Sequence, residues 1–186
     1  MKTAQEFRSG NVMMIDGQPM VVLKADFSKS GRNSAIVKMK LKSLLNGVGT
    51  ETVYKADDKF EQVILDKKEC SYSYYADPLY VFMDTDFNPI EVEEEYLGDN
   101  KGLIVDGMDE VVEITFYEDK PIGVEFPNTV TREIVYTEPA ARGDTSGKVM
   151  KIGKLASGHE VQIAAFIEQG EKILIDTRTG EYKSRA

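Results

Sequence analysis

Val21-Val22-Leu23-Lys24-Ala25-Asp26-Phe27-Ser28-Lys29-Ser30-Gly31-Arg32-Asn33-Ser34-Ala35-Ile36-Val37-Lys38-Met39-Lys40-Leu41-Lys42 is the stretch that decides the fold. Both ends are apolar and strand-like, and small and polar residues fill the middle. In the second arm Val37, Met39 and Leu41 alternate with Lys38, Lys40 and Lys42. Alternation with period two sends the apolar set to one face of a sheet and the ammonium groups to the other. The segment therefore predicts two antiparallel strands, Val21–Phe27 and Ala35–Lys42, joined by an exposed connection over Ser28–Ser34.

The same style continues outward. Asn11–Ile15, a turn at Asp16-Gly17-Gln18-Pro19 and Met20–Ala25 read as a hairpin. Asn46-Gly47-Val48-Gly49 turns the chain again, before strands at Glu51–Lys55 and Gln62–Leu65. Ser71–Tyr75 and Leu79–Asp84 are aromatic-rich strands. Asn88-Pro89 followed by Glu91 and ending at Gly98 has the cap chemistry of a short helix. Val111–Tyr117 and Ile122–Phe126 flank the turn Glu118-Asp119-Lys120-Pro121, and Phe126-Pro127-Asn128 reads as a domain joint. Strands at Glu133–Tyr136, Lys148–Ile152, Glu160–Ile167, Lys172–Asp176 and Tyr182–Lys183 complete the chain. Asp106-Gly107 before one strand and Gln169-Gly170 before another form a faint internal echo, compatible with two related barrels. The pattern predicts an all-β chain of small barrels in series. Its modules are residues 1–64, 65–127 and 128–186, each small enough to need its neighbour's support.

Charge divides along the same lines. The 186 residues carry a formal net charge of −9. Residues 1–64 hold 10 Lys+Arg against 7 Asp+Glu, residues 65–126 hold 4 against 17, and residues 127–186 hold 9 against 8. A mildly basic first module thus precedes a strongly acidic one. On the predicted second arm, same-face lysines stand roughly 6–7 Å apart, commensurate with successive backbone phosphates. Lysines that merely keep a sheet face soluble are the plainer alternative.

Composition excludes much chemistry. One cysteine, Cys70, forms no internal disulfide and reads as a small buried strand residue. The single histidine, His159, lies in the polar turn Ser157-Gly158-His159-Glu160. One of each cannot make a His/Cys zinc site, so no metal or other cofactor is expected. No phosphate-binding loop, dinucleotide fingerprint or nucleophile elbow occurs, and no carboxylate pair stands out for acid–base work. The chain is therefore not expected to be an enzyme, and a carbohydrate hydrolase with paired acids is the weakest rival. Val12–Ile15 is too short for a signal-peptide core, and no run is long enough to span a bilayer. A cytoplasmic, membrane-free protein is expected. A generic OB-type binder of single-stranded nucleic acid remains open, with Tyr72, Tyr74 and Tyr75 as stacking candidates. Those three sit in the acidic third, where packing in the core is the expectation.

Several blocks in order resemble bacterial elongation factor P over essentially the whole chain. They are Met1–Glu6, Lys29–Ser34, Val37–Lys42, Tyr54–Lys59, Ala76–Asp84, Tyr136–Pro139, Gly143-Asp144-Thr145-Ser146-Gly147 and Ile175–Tyr182. The resemblance implies an SH3-like, KOW-type first barrel, an acidic OB-type second barrel and an OB-type third, in an elongated, tRNA-like outline. It implies a monomer that binds the 70S ribosome between the peptidyl and exit sites, touches peptidyl-tRNA, and relieves stalling at consecutive prolines. It further implies that Gly143–Gly147 approaches mRNA at the exit-site codon. The family's modified loop tip matches Arg32, supported by Lys29, Ser30, Gly31, Asn33 and Ser34. This looks like the branch whose arginine is glycosylated by an arginine rhamnosyltransferase using a nucleotide-activated rhamnose. Without that likeness Arg32 reads as an ordinary surface arginine. Ser30 stands where lysine-type members often carry proline, and Val161–Ile167 lacks a proline common in that strand, so a local change of strand geometry is expected there. A paralogue acting on other stalled sequences is the nearest alternative.

Overall fold

The computed structural model of the chain describes residues 1–29, 31–32, 34–139 and 149–186. The first barrel is built from β1 (Lys2–Thr3), β2 (Val12–Ile15), β3 (Gln18–Ser28), β4 (Ile36–Ser43), β5 (Gly49–Lys55) and β6 (Lys59–Val63). Their order in the sheet is β1-β6-β2-β3-β4-β5. The expected alternation is present: Val37, Met39 and Leu41 are buried among Phe7, Met13 and Val22, while Lys38 and Lys40 are exposed. Each buried side chain of this size contributes about 1.5–3 kcal/mol, which fixes the face that β4 presents to the core. A one-residue slip would bury the lysines instead.

Turns are tighter than the sequence suggests. Asp16 and Gly17, at φ of 50° and 77°, close the β2–β3 hairpin alone, with Ile15 opposite Gln18. Two central residues at positive φ match the right-handed twist of the flanking strands, so Gln18 and Pro19 belong to β3 rather than to the turn. Strand β6 starts earlier than expected, at Lys59, because Asp58 closes the preceding turn through Lys55 and Phe60 stacks edge-on against Tyr54.

The second barrel comprises β7 (Asp66–Ala76), β8 (Leu79–Asp84), β9 (Pro89–Glu93), β10 (Val111–Tyr117) and β11 (Lys120–Glu125), in the order β11-β10-β7-β8-β9. The short helix expected after Asn88-Pro89 and ending at Gly98 forms only in its second half, as a 3-10 segment. Ile90 and Val92 are buried while Glu91 and Glu93 are exposed, so the segment starts as a strand paired with β8. A 3-10 segment, Glu94–Leu103, follows and is broken at Gly98. Cross-strand burial overrides the cap-like chemistry of Asn88-Pro89 in the first half. The β10–β11 turn again uses two residues, Glu118 and Asp119, both at positive φ.

Core packing of the three tyrosines holds for one of them. Tyr72 is buried edge-on to Phe82, but a bulge between Tyr72 and Tyr74 shifts the alternation. Tyr74 and Tyr75 are consequently exposed, and Tyr75 lies against Tyr80 and donates its hydroxyl hydrogen to Asp77. Cys70 is buried in β7, where desolvation pushes its thiol up to about 11.

The last third forms β12 (Thr129–Glu133), β13 (Tyr136–Thr137), β14 (Met150–Lys154), β15 (Glu160–Ala164), β16 (Lys172–Asp176) and β17 (Glu181–Arg185), in sheets ordered β12-β16-β17 and β13-β14-β15. The single strand expected over Glu133–Tyr136 is split, because Ile134 turns its side chain wholly into the core between two sheets. The strand expected to reach Ile167 ends at Ala164, where the Ile167 amide donates to the Ala164 carbonyl.

The chain divides into two compact units, residues 1–99 with 112–125, and residues 100–111 with 126–186. In the second unit Leu103 joins the core of β12, β15 and β16 residues. Arg132, 2% exposed, donates through Nε to the Leu103 carbonyl at 2.6 Å and pairs through its guanidinium with Glu110.

Candidate functional site: the Arg32 hairpin tip

Strands β3 and β4 pair from Met20↔Ser43 at one end to Ser28↔Ile36 at the other. A seven-residue connection, 29–35, closes the far end. Gly31 has φ of 56° with open space around it, and Lys29, Gly31, Arg32 and Ser34 are exposed. Ser30 and Asn33, the other two expected supports of the tip, lie outside the described residues. The tip is thus an exposed loop carried by a long ladder whose inner face is anchored in a core, a geometry that fixes its base while leaving its end accessible.

Next to the tip the ladder ends on two apolar side chains, Phe27 and Ile36, which are 55% and 39% exposed. In the sequence both are ordinary strand residues; only their place beyond the barrel core, at the end of the ladder, distinguishes them.

The outer face is less uniformly basic than the sequence implies. Lys38 stands opposite Asp26, and Lys40 stands between Lys24 and Glu51. Lys24 reaches Asp26 at 3.8 Å and Asp99 at 3.6 Å. Lys38 and Lys40 join no ion pair among the described residues. Lys42 differs from both. Its ammonium donates to the Glu95 carboxylate and lies 5.2 Å from the centre of the buried Tyr96 ring. The hydrogen bond to Glu95 raises its pKa above the ordinary lysine value, against the opposing effect of desolvation.

The second expected contact, Gly143, Asp144, Thr145, Ser146 and Gly147, lies outside the described residues. Among the described residues no group of three or more His, Cys, Asp or Glu side chains is placed to hold a metal ion. No helix among them is long and apolar enough to cross a membrane.

Residues 3–60 match the family description "Elongation factor P (EF-P) KOW-like domain", residues 65–124 "Elongation factor P (EF-P) OB domain" and residues 130–185 "Elongation factor P, C-terminal". The chain belongs to the elongation factor P family. The proteins named elongation factor P from Cellvibrio japonicus and Azotobacter vinelandii are 66% and 63% identical to it, each over all of this chain and 99% of their own length. The elongation factor P of Chromobacterium violaceum is 63% identical over the full length of both. Among solved structures, eukaryotic translation initiation factor 5A from Methanococcus jannaschii aligns with 68% of this chain and 92% of its own, at 19% identity and a TM-score of 0.32. Membership in the elongation factor P family makes the chain a translation elongation factor built from a KOW-like, an OB and a C-terminal domain.

Proposed function

We propose that the chain binds the 70S ribosome between the peptidyl and exit sites and promotes peptide-bond formation at consecutive prolines by positioning peptidyl-tRNA. In this reading Arg32 is the working tip. The observation that carries it is an exposed arginine at the end of a core-anchored hairpin in a member of this family. The modules are residues 1–64, 65–127 and 128–186, and the protein acts in the cytoplasm.

A guanidinium stays charged at all working pH values and offers a planar fork of donors suited to phosphate oxygens. An arginine rhamnosyltransferase adds one rhamnose to Arg32 from a nucleotide-activated donor. The nitrogen bonds to the sugar's anomeric carbon, the nucleotide departs, and a base of the transferase takes the proton. The product keeps its charge and gains hydroxyl groups that can bond RNA. Lys29, Ser30, Gly31, Asn33 and Ser34 shape the loop around it. Lys38 and Lys40 supply phosphate contacts, and Gly143–Gly147 reaches mRNA at the exit-site codon.

Proline is a hindered nucleophile, so its coupling suffers most when donor and acceptor are misaligned. Holding the peptidyl-tRNA end in a reactive pose recovers rate without any catalytic group on the factor. Reading the chain instead as a free single-strand binder would require stacking on Tyr74 and Tyr75, and these sit in the module with 17 acidic residues, which repels phosphates. Intact-mass and peptide analysis of the native protein tests the modification. A single deoxyhexose on the peptide holding Arg32 supports it, and an unmodified peptide from actively growing cells contradicts it.

A further inference from the structure

We propose that Lys42 is a positioning residue: through Glu95 and Tyr96 it clamps the first barrel onto the second and thereby sets where the Arg32 tip points. Its functional half rests on the reading above; the clamp itself does not.

Lys38, Lys40 and Lys42 share one strand and one alternation, but only Lys42 faces another module. Glu95, its partner, is 53 residues away in the sequence, on the 3-10 segment after β9. The pair is partly shielded, at 21% and 38% side-chain exposure. The ammonium also lies over the Tyr96 ring, which is 3% exposed. An ion pair shielded on one side by an aromatic face is directional, unlike a solvated lysine on a sheet.

The surrounding contact is built for close approach. A side chain at Gly123 would put its Cβ 2.6 Å from the Gly10 Cα, so two backbones meet where Gly123 cannot be larger. Gly98 has φ of 60° and ψ of −140°, a conformation only glycine adopts without strain, and a Cβ there would lie 2.8 Å from the Leu23 carbonyl. Asn11 Nδ2 donates to Glu125 at 2.9 Å, and Glu125 also accepts from Lys67 at 3.0 Å. Lys24 reaches Asp99 beside them. These contacts gather around residues 10–11 just before β2, the middle of β3 and the last part of β4, away from the tip end of the β3–β4 ladder.

That placement makes the ladder a lever. From Lys42 to Ile36 it runs six residues, roughly 20 Å at about 3.3 Å per residue. A tilt of about 10° at its base swings the far end by about 3.5 Å, and misplacement of about 1 Å can cost about 100-fold in a positioned reaction. The second barrel holds the lever's fulcrum.

The test uses the full chain. Spin labels at Glu51→Cys and Glu91→Cys, one in each barrel, report inter-barrel distance in the free protein; buried Cys70 stays unlabelled. Wild type is expected to give one narrow distribution, Lys42→Glu a broadened or shifted one, and Lys42→Glu with Glu95→Lys a narrow one again. A Lys42→Glu distribution as narrow as wild type, or a double variant no narrower than Lys42→Glu, overturns the clamp. Diproline synthesis at saturating factor should fall at least about tenfold in Lys42→Glu and recover in the charge swap. If the swap stays slow while ribosome binding loses salt dependence, Lys42 is an RNA contact and the inference is wrong. If wild type itself fails to accelerate diproline synthesis, the ribosomal reading fails, and the distances still decide the clamp.

Discussion

Single residues in this protein differ by surroundings rather than by type. The Cys70 thiol, pushed up to about 11 by burial in β7, is almost wholly protonated near neutrality. It should resist alkylation at pH 8 in the folded protein and react fully in denaturant, which a timed labelling experiment with mass detection will show. Asp84 behaves oppositely. Amide hydrogen bonds from Asn88 hold its carboxyl below the ordinary value of 3.8. Asp176 is lowered likewise, first by the Arg178 side chain. For a depressed carboxylate the stabilisation is complete above the unfolded value and disappears as pH falls through the folded one. Melting temperature should therefore drop below about pH 4, and Asp84→Asn should flatten that acid limb while lowering the melting temperature at neutral pH. Equal acid slopes for the two proteins would show that Asp84 plays no part.

At the scale of elements, what the sequence reveals depends on how local the deciding contact is. β4 was legible from Val37, Met39 and Leu41 because one buried face imposes period two on its own residues. The hairpins at Asp16-Gly17 and Glu118-Asp119 were legible as turns, though not as two-residue ones, since turn residues mark a place more clearly than a register. Residues 91–93 misled because Asn88-Pro89 and the acidic run imitate a helix start, whereas pairing with β8 decides their conformation. The Arg132–Glu110 pair was invisible, for its partners lie 22 residues apart on different segments. Breaking it strands a carboxylate whose side chain is 15% exposed, so Arg132→Met should cost about 3 kcal/mol in urea unfolding. Adding Glu110→Leu should recover much of that loss, because replacing both charges by apolar groups removes the stranded one. Additive losses would contradict the coupling.

Across the whole molecule, charge and attachment divide the labour. The basic tip hairpin lies within residues 1–64, which carry 10 Lys+Arg against 7 Asp+Glu, and the acidic stretch that follows supplies partners for Lys24 and Lys42. The partition of charge was plain in the sequence. That Lys42 pairs with Glu95, while Lys38 and Lys40 join no ion pair among the described residues, was not, because the three lysines obey the same alternation. The proposed function rests on Arg32 most of all. The rate of diproline formation on programmed ribosomes, with wild type and Arg32→Ala at saturating concentration, tests it most directly. The variant should fall to the rate without factor on diproline templates and leave templates free of proline runs unchanged; equal diproline rates for the two proteins would contradict the role assigned to the tip.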